Sequence, residues 1–395
     1  LLAFQNVVER EKIMNIAVMG CGTVGGGVVE IIDNRMDKGS NLKVTRILDK
    51  IFREGDDRFT DKIEDITEDD TIDLVVESMG GIEPAHTFIL AALNAGKHVV
   101  TSNKAVVSKY MKEFVDAAND NSVGLFLEAT AGGGVPWIHN LMRVKRIDQI
   151  TQFSGIINGT SNFIIDKMEK ENADFSETLK LAQEKGYAEA NPSADIDGDD
   201  VKAKSMISAS IAFSTLCTDK IPTSGIRNLT AEDIEVFKEL GLRVRMITRG
   251  QIKGDKYFVT VEPQLCEENT LEANTPGYFN TVSLTGETIG ELKFFGAGAG
   301  ALPTANAIVQ DIIDCADGKR PVYDLSRELE FDETIMPSTY LFRTKAEHSL
   351  PRQTIMIRPG YFEIGGKYPA EAHQIAENLL VEDPNSFMAS IQKTV

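Results

Sequence analysis

The chain has 395 residues, of which 42% are apolar and 26% charged, with a formal net charge of −19. That length exceeds what one hydrophobic core usually serves, so two or three domains are expected, and the composition excludes a disordered or collagen-like chain. No run approaches the roughly 18 apolar residues of a membrane-spanning helix, and the acidic balance opposes binding to nucleic acid or to an anionic membrane surface.

The first strand is predicted at residues 15–19, with Met14 directly before it. Met14 reads as the natural start and residues 1–13 as an upstream extension; they lack the basic, apolar and small-residue order of a secretory signal. Gly20-Cys21-Gly22-Thr23-Val24-Gly25 follows. This GxGxxG closes a strand and opens a helix predicted over residues 23–36, the setting in which the motif marks a dinucleotide site. Its glycines allow a tight turn and close approach to a pyrophosphate, and the helix N-terminus offers unpaired N–H groups. The alternative is a glycine-rich turn without a ligand.

Residues 44–48 form a second predicted strand, ending at Asp49. A carboxylate there accepts hydrogen bonds from ribose hydroxyls and favours NAD. Lys50 and Arg53 follow at once and could instead hold the 2′-phosphate of NADP. The residues leave both open, and also the plainer reading of solvated charge past a strand. Further strands are predicted at residues 72–77, 98–101 and 123–127. Helices are predicted at 84–94, stopped by Gly96, and around Val107, Tyr110, Met111, Phe114 and Val115. Such alternation predicts a parallel sheet covered on both faces.

The character changes after the Gly-rich stretch 131–135. A strand at 150–157 precedes helices through Met168, at 179–185 and near 200–216. Strands follow at 242–248, 257–261 and 278–284, and a helical period resumes from Thr304. Residues 321–337 read as a linker. The tail carries short β-like runs at 340–343 and 354–357 and a helix near 370–380. The expected organisation is a dinucleotide-binding domain at 14–135 completed by 301–320, an α+β substrate and dimerisation domain at 136–300, and a C-terminal region at 321–395.

Two places carry chemistry beyond cofactor binding. Residues 187–204 gather Glu189, Asp195, Asp200 and Lys204 where an apolar helix begins. Asp200 and Lys204 are four apart and share a helical face. Hydride addition to a carbonyl produces an alkoxide that needs an acid or a cation, which a lysine supplies. A solvated acidic loop is the commoner use of such a segment, but Met206, Ile207, Ala209, Ile211 and Phe213 place Lys204 at the core end of the helix. Lys104 follows the strand at 98–101, at the carboxyl edge where parallel sheets bind ligands; a surface lysine in a strand–helix turn is the competing reading. Cys21, Cys217, Cys266 and Cys315 are scattered. Their spacing suits reduced thiols in a cytoplasmic protein, and neither they nor the five histidines form a zinc motif.

These segments together resemble the homoserine dehydrogenase family, of the monofunctional bacterial type. The matching pieces are Gly20 to Gly25, Glu77-Ser78-Met79-Gly80-Gly81, residues 101–105, the run from Glu128 to Pro136, Gly155-Ile156-Ile157-Asn158-Gly159-Thr160, the acidic segment ending at Lys204, and Gly296-Ala297-Gly298-Ala299-Gly300, in family order over about residues 14–320. The resemblance implies reversible NAD(P)H-dependent reduction of L-aspartate 4-semialdehyde to L-homoserine. It implies Lys204 as proton donor, Lys104 as a second active-site cation, Asp200 as an orienting and substrate-binding group, and Glu189 and Asp195 as substrate ligands. Gly20, Gly22, Thr23, Val24, Gly25, Asp49, Lys50, Ser78, Met79, Lys104 and Gly300 would contact the cofactor, NADP or NAD. Glu128, Ala131, Gly133 and Val135 would hold a structural sodium ion, and the chain would form a homodimer. The tail would be a truncated or degenerate ACT module, with threonine feedback as a hypothesis attached to it. Two rivals stand beside this reading: aspartate-semialdehyde dehydrogenase, whose chemistry needs a nucleophilic cysteine, and a catalytically silent NAD(P)-binding regulator.

Overall fold

A computed structural model describes residues 13–37 and 41–391. Of the proposed upstream extension, residues 1–12 lie outside the described residues. The first region contains β1 (Met14–Met19), α1 (Thr23–Glu30), β2 (Leu42–Leu48), β3 (Phe59–Thr60), α2 (Glu64–Thr67), β4 (Leu74–Glu77), α3 (Ala85–Asn94), β5 (His98–Thr101), α4 (Lys104–Asp120) and β6 (Leu125–Phe126). Its strands form one parallel sheet in the order β3-β2-β1-β4-β5-β6. That is the doubly wound dinucleotide order, with its crevice at the carboxyl ends of the paired β1 and β4, where the strand order reverses.

Alternation along β1 shows why both faces are filled. Ile16 and Val18 enter one apolar cluster with Val28 and Ile32, while Ala17 and Met19 enter another with Ile89 and Phe114, as a period of two requires. The helix expected over 23–36 keeps α geometry only to Glu30 and ends in a π-helical turn, Ile31–Arg35. β3 was not expected; two residues are too short to show a period.

The second region continues with α5 (Trp137–Val144), β7 (Ile150–Ile156), α6 (Gly159–Glu171), α7 (Phe175–Glu184), α8 (Ser193–Ile196), α9 (Asp199–Phe213), α10 (Ala231–Glu239), β8 (Leu242–Lys253), β9 (Lys256–Glu267), β10 (Phe279–Gly286) and β11 (Gly290–Ala297). α11 (Ala301–Ala316) then returns to the first sheet, where Ala305, Ile308 and Ile312 pack with Ile16 and Val18. The tail adds β12 (Glu330–Phe331), β13 (Ser338–Arg343), β14 (Ile355–Arg358), β15 (Tyr361–Lys367), α12 (Pro369–Glu382) and β16 (Phe387–Ile391).

The second sheet is mixed, in the order β11-β10-β7-β8-β9-β16-β13-β15-β14, with β12 beside β9. β8 and β9 form a hairpin of twelve-residue strands, longer than the apolar runs at 242–248 and 257–261. Polar Thr260, Glu262 and Gln264 are buried in β9, which hides its length from a hydrophobicity reading. The strands of the tail run β16-β13-β15-β14, all antiparallel neighbours. This is the split βαβ arrangement, with the first crossover reduced to a 3₁₀ turn at Glu347–Ser349. β16 pairs in parallel with β9, so the tail is continuous with the second sheet.

Candidate active site

The glycine loop meets the sheet where the dinucleotide crevice opens. Gly20 has φ +88°, and a Cβ there would lie 2.9 Å from the backbone of Met79. At Gly25 a Cβ would stand 1.9 Å from the Gly20 carbonyl oxygen and 2.6 Å from Ser78 Oγ. The first and last glycines are therefore sterically required, whereas Gly22 faces open space, the side on which a pyrophosphate can approach. Thr23 and Val24 open α1 behind Gly22, its N-cap. Ser78 Oγ donates to the Gly20 carbonyl at 2.8 Å, tying the turn after β4 to the loop.

Asp49 is part of the same turn. Its carboxylate accepts from the backbone N–H of Cys21 at 2.6 Å and of Ile51 at 3.0 Å. Lys50 is exposed beyond it, and Arg53 reaches across the loop to the Cys21 carbonyl at 3.4 Å. The Asp49 acceptors are thus partly engaged, while the Arg53 guanidinium lies over the start of α1.

A buried carboxylate organises the crevice behind Lys104. Glu77, at the end of β4, accepts from Met79 N–H (2.9 Å), Thr101 Oγ1 (2.5 Å) and Asn103 Nδ2 (3.3 Å). Burial pushes its pKa up, and these donors oppose the shift. Asn103 also caps α4, accepting from Val106 N–H, and donates to the Gly81 carbonyl at 2.8 Å. Lys104 is the first residue of that capped helix, so its stem is fixed by a hydrogen-bonded base.

The structure brings both lysines to one carboxylate. Lys204 Nζ lies 2.7 Å from Asp200 Oδ2, and Lys104 Nζ lies 3.2 Å from Asp200 Oδ1. Lys204 also donates to the Ile157 carbonyl at 2.7 Å, and its side chain is 12% exposed against 42% for Lys104. Burial alone would raise the Asp200 pKa, but the two ammonium groups and Asn158 hold it well below the usual carboxylate range. Asp200 in turn raises the Lys104 pKa, outweighing that residue's burial.

Asn158 is the member that sequence reasoning missed. Its Nδ2 donates to Asp195 Oδ1 at 2.7 Å and to Asp200 Oδ2 at 2.9 Å, while its Oδ1 accepts from Ser161 N–H as the cap of α6. An Asn before a helix signals a cap; nothing local in the sequence signals the two carboxylates it joins. Asp195 has its pKa raised by burial, partly offset by Asn158. Glu189 is exposed on the loop before α8, where its charge contributes to the field on Lys104. Gly300, φ +123°, caps α11 at the start of the return to the first sheet.

The loop from Glu128 to Val135 lies between the two regions. The Glu128 carboxylate accepts from the N–H groups of Ile138 (3.2 Å) and His139 (2.6 Å), at the start of α5, and burial pushes its pKa up to about 7. Gly134 N–H donates to the Ala297 carbonyl at 2.9 Å, and Val135 N–H to the Gly132 carbonyl at 3.0 Å. Ala131 N–H points to the Glu128 carbonyl at 3.4 Å, and Gly133 packs on Gly298. Among the described residues no three His, Cys, Asp or Glu side chains gather to hold a metal.

Cys217, Cys266 and Cys315 are buried, and burial pushes each thiol pKa up to about 12. A thioester chemistry requires an activated thiolate, and these three are the reverse. Among the described residues no helix is long and apolar enough to cross a membrane.

Both regions of the chain have clear relatives. Residues 20–128 match the family model for the NAD-binding domain of homoserine dehydrogenase, and residues 136–313 match the model for homoserine dehydrogenase itself. The chain belongs to the homoserine dehydrogenase family. The homoserine dehydrogenase of Bacillus subtilis is 36% identical over 314 residues, covering 76% of this chain and 72% of that protein. That of Synechocystis is 39% identical over 315 residues, 76% and 73% of the two chains. The solved structure of a homoserine dehydrogenase from Thiobacillus denitrificans superposes with a TM-score of 0.82 at 28% identity, over 96% of this chain and 98% of that one. A hyperthermophilic archaeal homoserine dehydrogenase in complex with NADPH gives a TM-score of 0.66 at 25% identity, over 79% and 99%. The family's activity is nicotinamide-dependent interconversion of L-aspartate 4-semialdehyde and L-homoserine, on the route to threonine, methionine and isoleucine.

Proposed function

We propose that Lys204 is the proton donor in this reaction and that Asp200, Lys104, Asp195 and Glu189 hold the substrate around it. The observation that carries the proposal is the Asp200 carboxylate shared between the two lysines. An ammonium has three N–H donors. Lys204 directs one to Asp200 and one to the Ile157 carbonyl, leaving the third for a substrate carbonyl oxygen. A bound nicotinamide supplies the hydride in one direction and accepts it in the other. As negative charge builds on the substrate oxygen, Lys204 neutralises it by passing a proton, and Lys104 adds a second positive charge at the same mouth. Asp195 and Glu189 are suited to the substrate's ammonium group.

The remaining assignments rest on the family and on local geometry. Gly20, Gly22, Thr23, Val24, Gly25, Asp49, Lys50, Ser78, Met79, Lys104 and Gly300 line the cofactor path. Either NADP or NAD serves, with the Arg53 guanidinium over the loop as the support for 2′-phosphate binding. A structural sodium ion is assigned to the backbone carbonyls of Glu128, Ala131, Gly133 and Val135. The Glu128 carboxylate is already taken by α5, and carbonyl oxygens suit a hard cation. The assembly proposed is a cytoplasmic homodimer, its buried free thiols in keeping with a reducing compartment.

Oxidation of NADPH and of NADH with L-aspartate 4-semialdehyde tests the activity and the cofactor reading together. Arg53→Ala is expected to lower kcat/KM for NADPH by about tenfold, the scale of one charge-assisted phosphate contact, with NADH little changed. Equal losses with both cofactors would remove Arg53 from phosphate recognition. No oxidation of either would remove the proposed activity.

A further inference from the structure

α8 carries Asp195, yet it has only four residues. A single turn cannot sustain itself, since nucleation is unfavourable and its end groups have no partners within it. Something outside must hold it. Asn158 grips Asp195 from one side. From the other, Ile226 N–H donates to the Ile196 carbonyl at 2.8 Å, and Gly225 packs so closely that a Cβ would fall 2.0 Å from that same oxygen.

Arg227 then spans the whole turn. Its Nε and Nη2 make a two-pronged pair with Asp197, the C-cap of α8, at 2.8 and 2.6 Å. Nη2 also donates to Ser193 Oγ, at the opposite end, at 3.0 Å. The Arg227 side chain is 53% exposed, so the pair adds little global stability. Its consequence is geometric: it fixes the length and orientation of the turn on which Asp195 sits.

The segment carrying Arg227 is in turn held by the C-terminal strands. Asn228 Nδ2 donates to the carbonyls of Pro384 (2.8 Å) and Ser386 (3.0 Å), and Arg343 of β13 donates to the Asn228 carbonyl at 2.6 Å. Arg343 also pairs with the fully buried Asp233 at 2.7 Å, which accepts from Tyr361 OH of β15 at 2.9 Å. Hydrogen bonds therefore tie β13 to Asn228, Arg227 to both ends of α8, and Asp195 through Asn158 to Asp200; the peptide link between Asn228 and Arg227 and the backbone of α8 join them into one path.

We propose that Arg227 is a positioning residue for the substrate site, and that the C-terminal strands set the geometry of Asp195 through the Asn228–Arg227 link. The inference rests on Asp195 being a substrate ligand. Arg227→Ala is expected to raise KM for L-homoserine about tenfold, with kcat within about twofold and both the Kd for the oxidised cofactor and Tm unchanged. Arg227→Lys recovers part of the loss, because it restores one contact to Asp197. Asp197→Ala reproduces the defect, and the Arg227→Ala/Asp197→Ala double variant is no worse than either single one. Asn228→Ala raises KM in the same sense. An unchanged KM in Arg227→Ala overturns the inference, as does a raised KM accompanied by comparable losses of kcat, cofactor affinity and Tm; an unchanged KM in Asn228→Ala overturns the part assigned to the C-terminal strands. Asp195→Asn separates this from the site reading: if it raises KM while Arg227→Ala does not, only the positioning claim fails, and if it leaves KM unaltered, the substrate assignment itself fails.

Discussion

Replacing Lys204 by alanine is expected to lower kcat by about a thousandfold or more, within the range that a positioned general acid contributes. Cofactor binding is expected to be unaltered, because the glycine loop and Asp49 turn do not involve this residue. Lys204 is held at both Asp200 and the Ile157 carbonyl, so its remaining N–H has a defined direction. Arginine should not rescue it: a planar guanidinium lacks the tetrahedral donor set and does not give up its proton. Steady-state rates paired with a fluorescence titration of NADPH check both halves. Near-normal turnover in Lys204→Ala would remove it as the donor.

Asp200→Asn is expected to cost about a hundredfold in kcat, the scale of a misplaced catalytic constellation, and about 3 kcal/mol of stability, as for a broken buried ion pair. Each oxygen of Asp200 serves one lysine; without its charge two ammonium groups face one another. The Lys104 pKa, now raised chiefly by Asp200, should fall, so any alkaline limit set by Lys104 moves to lower pH in the variant. The stability signs are fixed by the same shifts. Asp200 has a depressed folded-state pKa, so its contribution is present above the ordinary aspartate value and is lost as pH falls through the folded one. Lys104 has a raised folded-state pKa, so its contribution is full below the ordinary lysine value and is lost as pH rises through the folded one. The Tm gap between wild type and variant should therefore be widest near neutrality and narrow on strong acidification. A gap independent of pH would show that the carboxylate charge is not what holds the lysines.

Much of this is legible in the sequence. The strand–glycine–helix unit, the apolar runs of β4 and β5 and the i, i+4 spacing of Asp200 and Lys204 are local features, and local periodicity reports them. The meeting of Lys104 with Asp200 was implied only by family resemblance, because it depends on how α4 and α9 pack. Asn158 lay hidden for a similar reason: its cap position is local, but its carboxylate partners are 37 and 42 residues away. α10 escaped notice although Thr230 and Asp233 form a capping box, since only Ile234, Val236 and Phe237 mark its apolar face. β11 was missed because it is an edge strand with no fully buried residue, Phe295 being 50% exposed, so its adjacent apolar residues Phe294 and Phe295 do not mark one buried face in the sequence. The tail's strands were visible as fragments, but their continuity with β9 is a long-range pairing that no local pattern carries.

The central claim is that the carboxylates around Lys204 select an amino aldehyde. It is tested most directly by comparing kcat/KM for NADPH oxidation with L-aspartate 4-semialdehyde and with succinate semialdehyde, which lacks only the ammonium group. A site that pairs Asp195 and Glu189 with that ammonium should prefer the amino aldehyde by about a hundredfold or more, since these carboxylates lose that charged contact with succinate semialdehyde. Equal rates with the two aldehydes would contradict the claim.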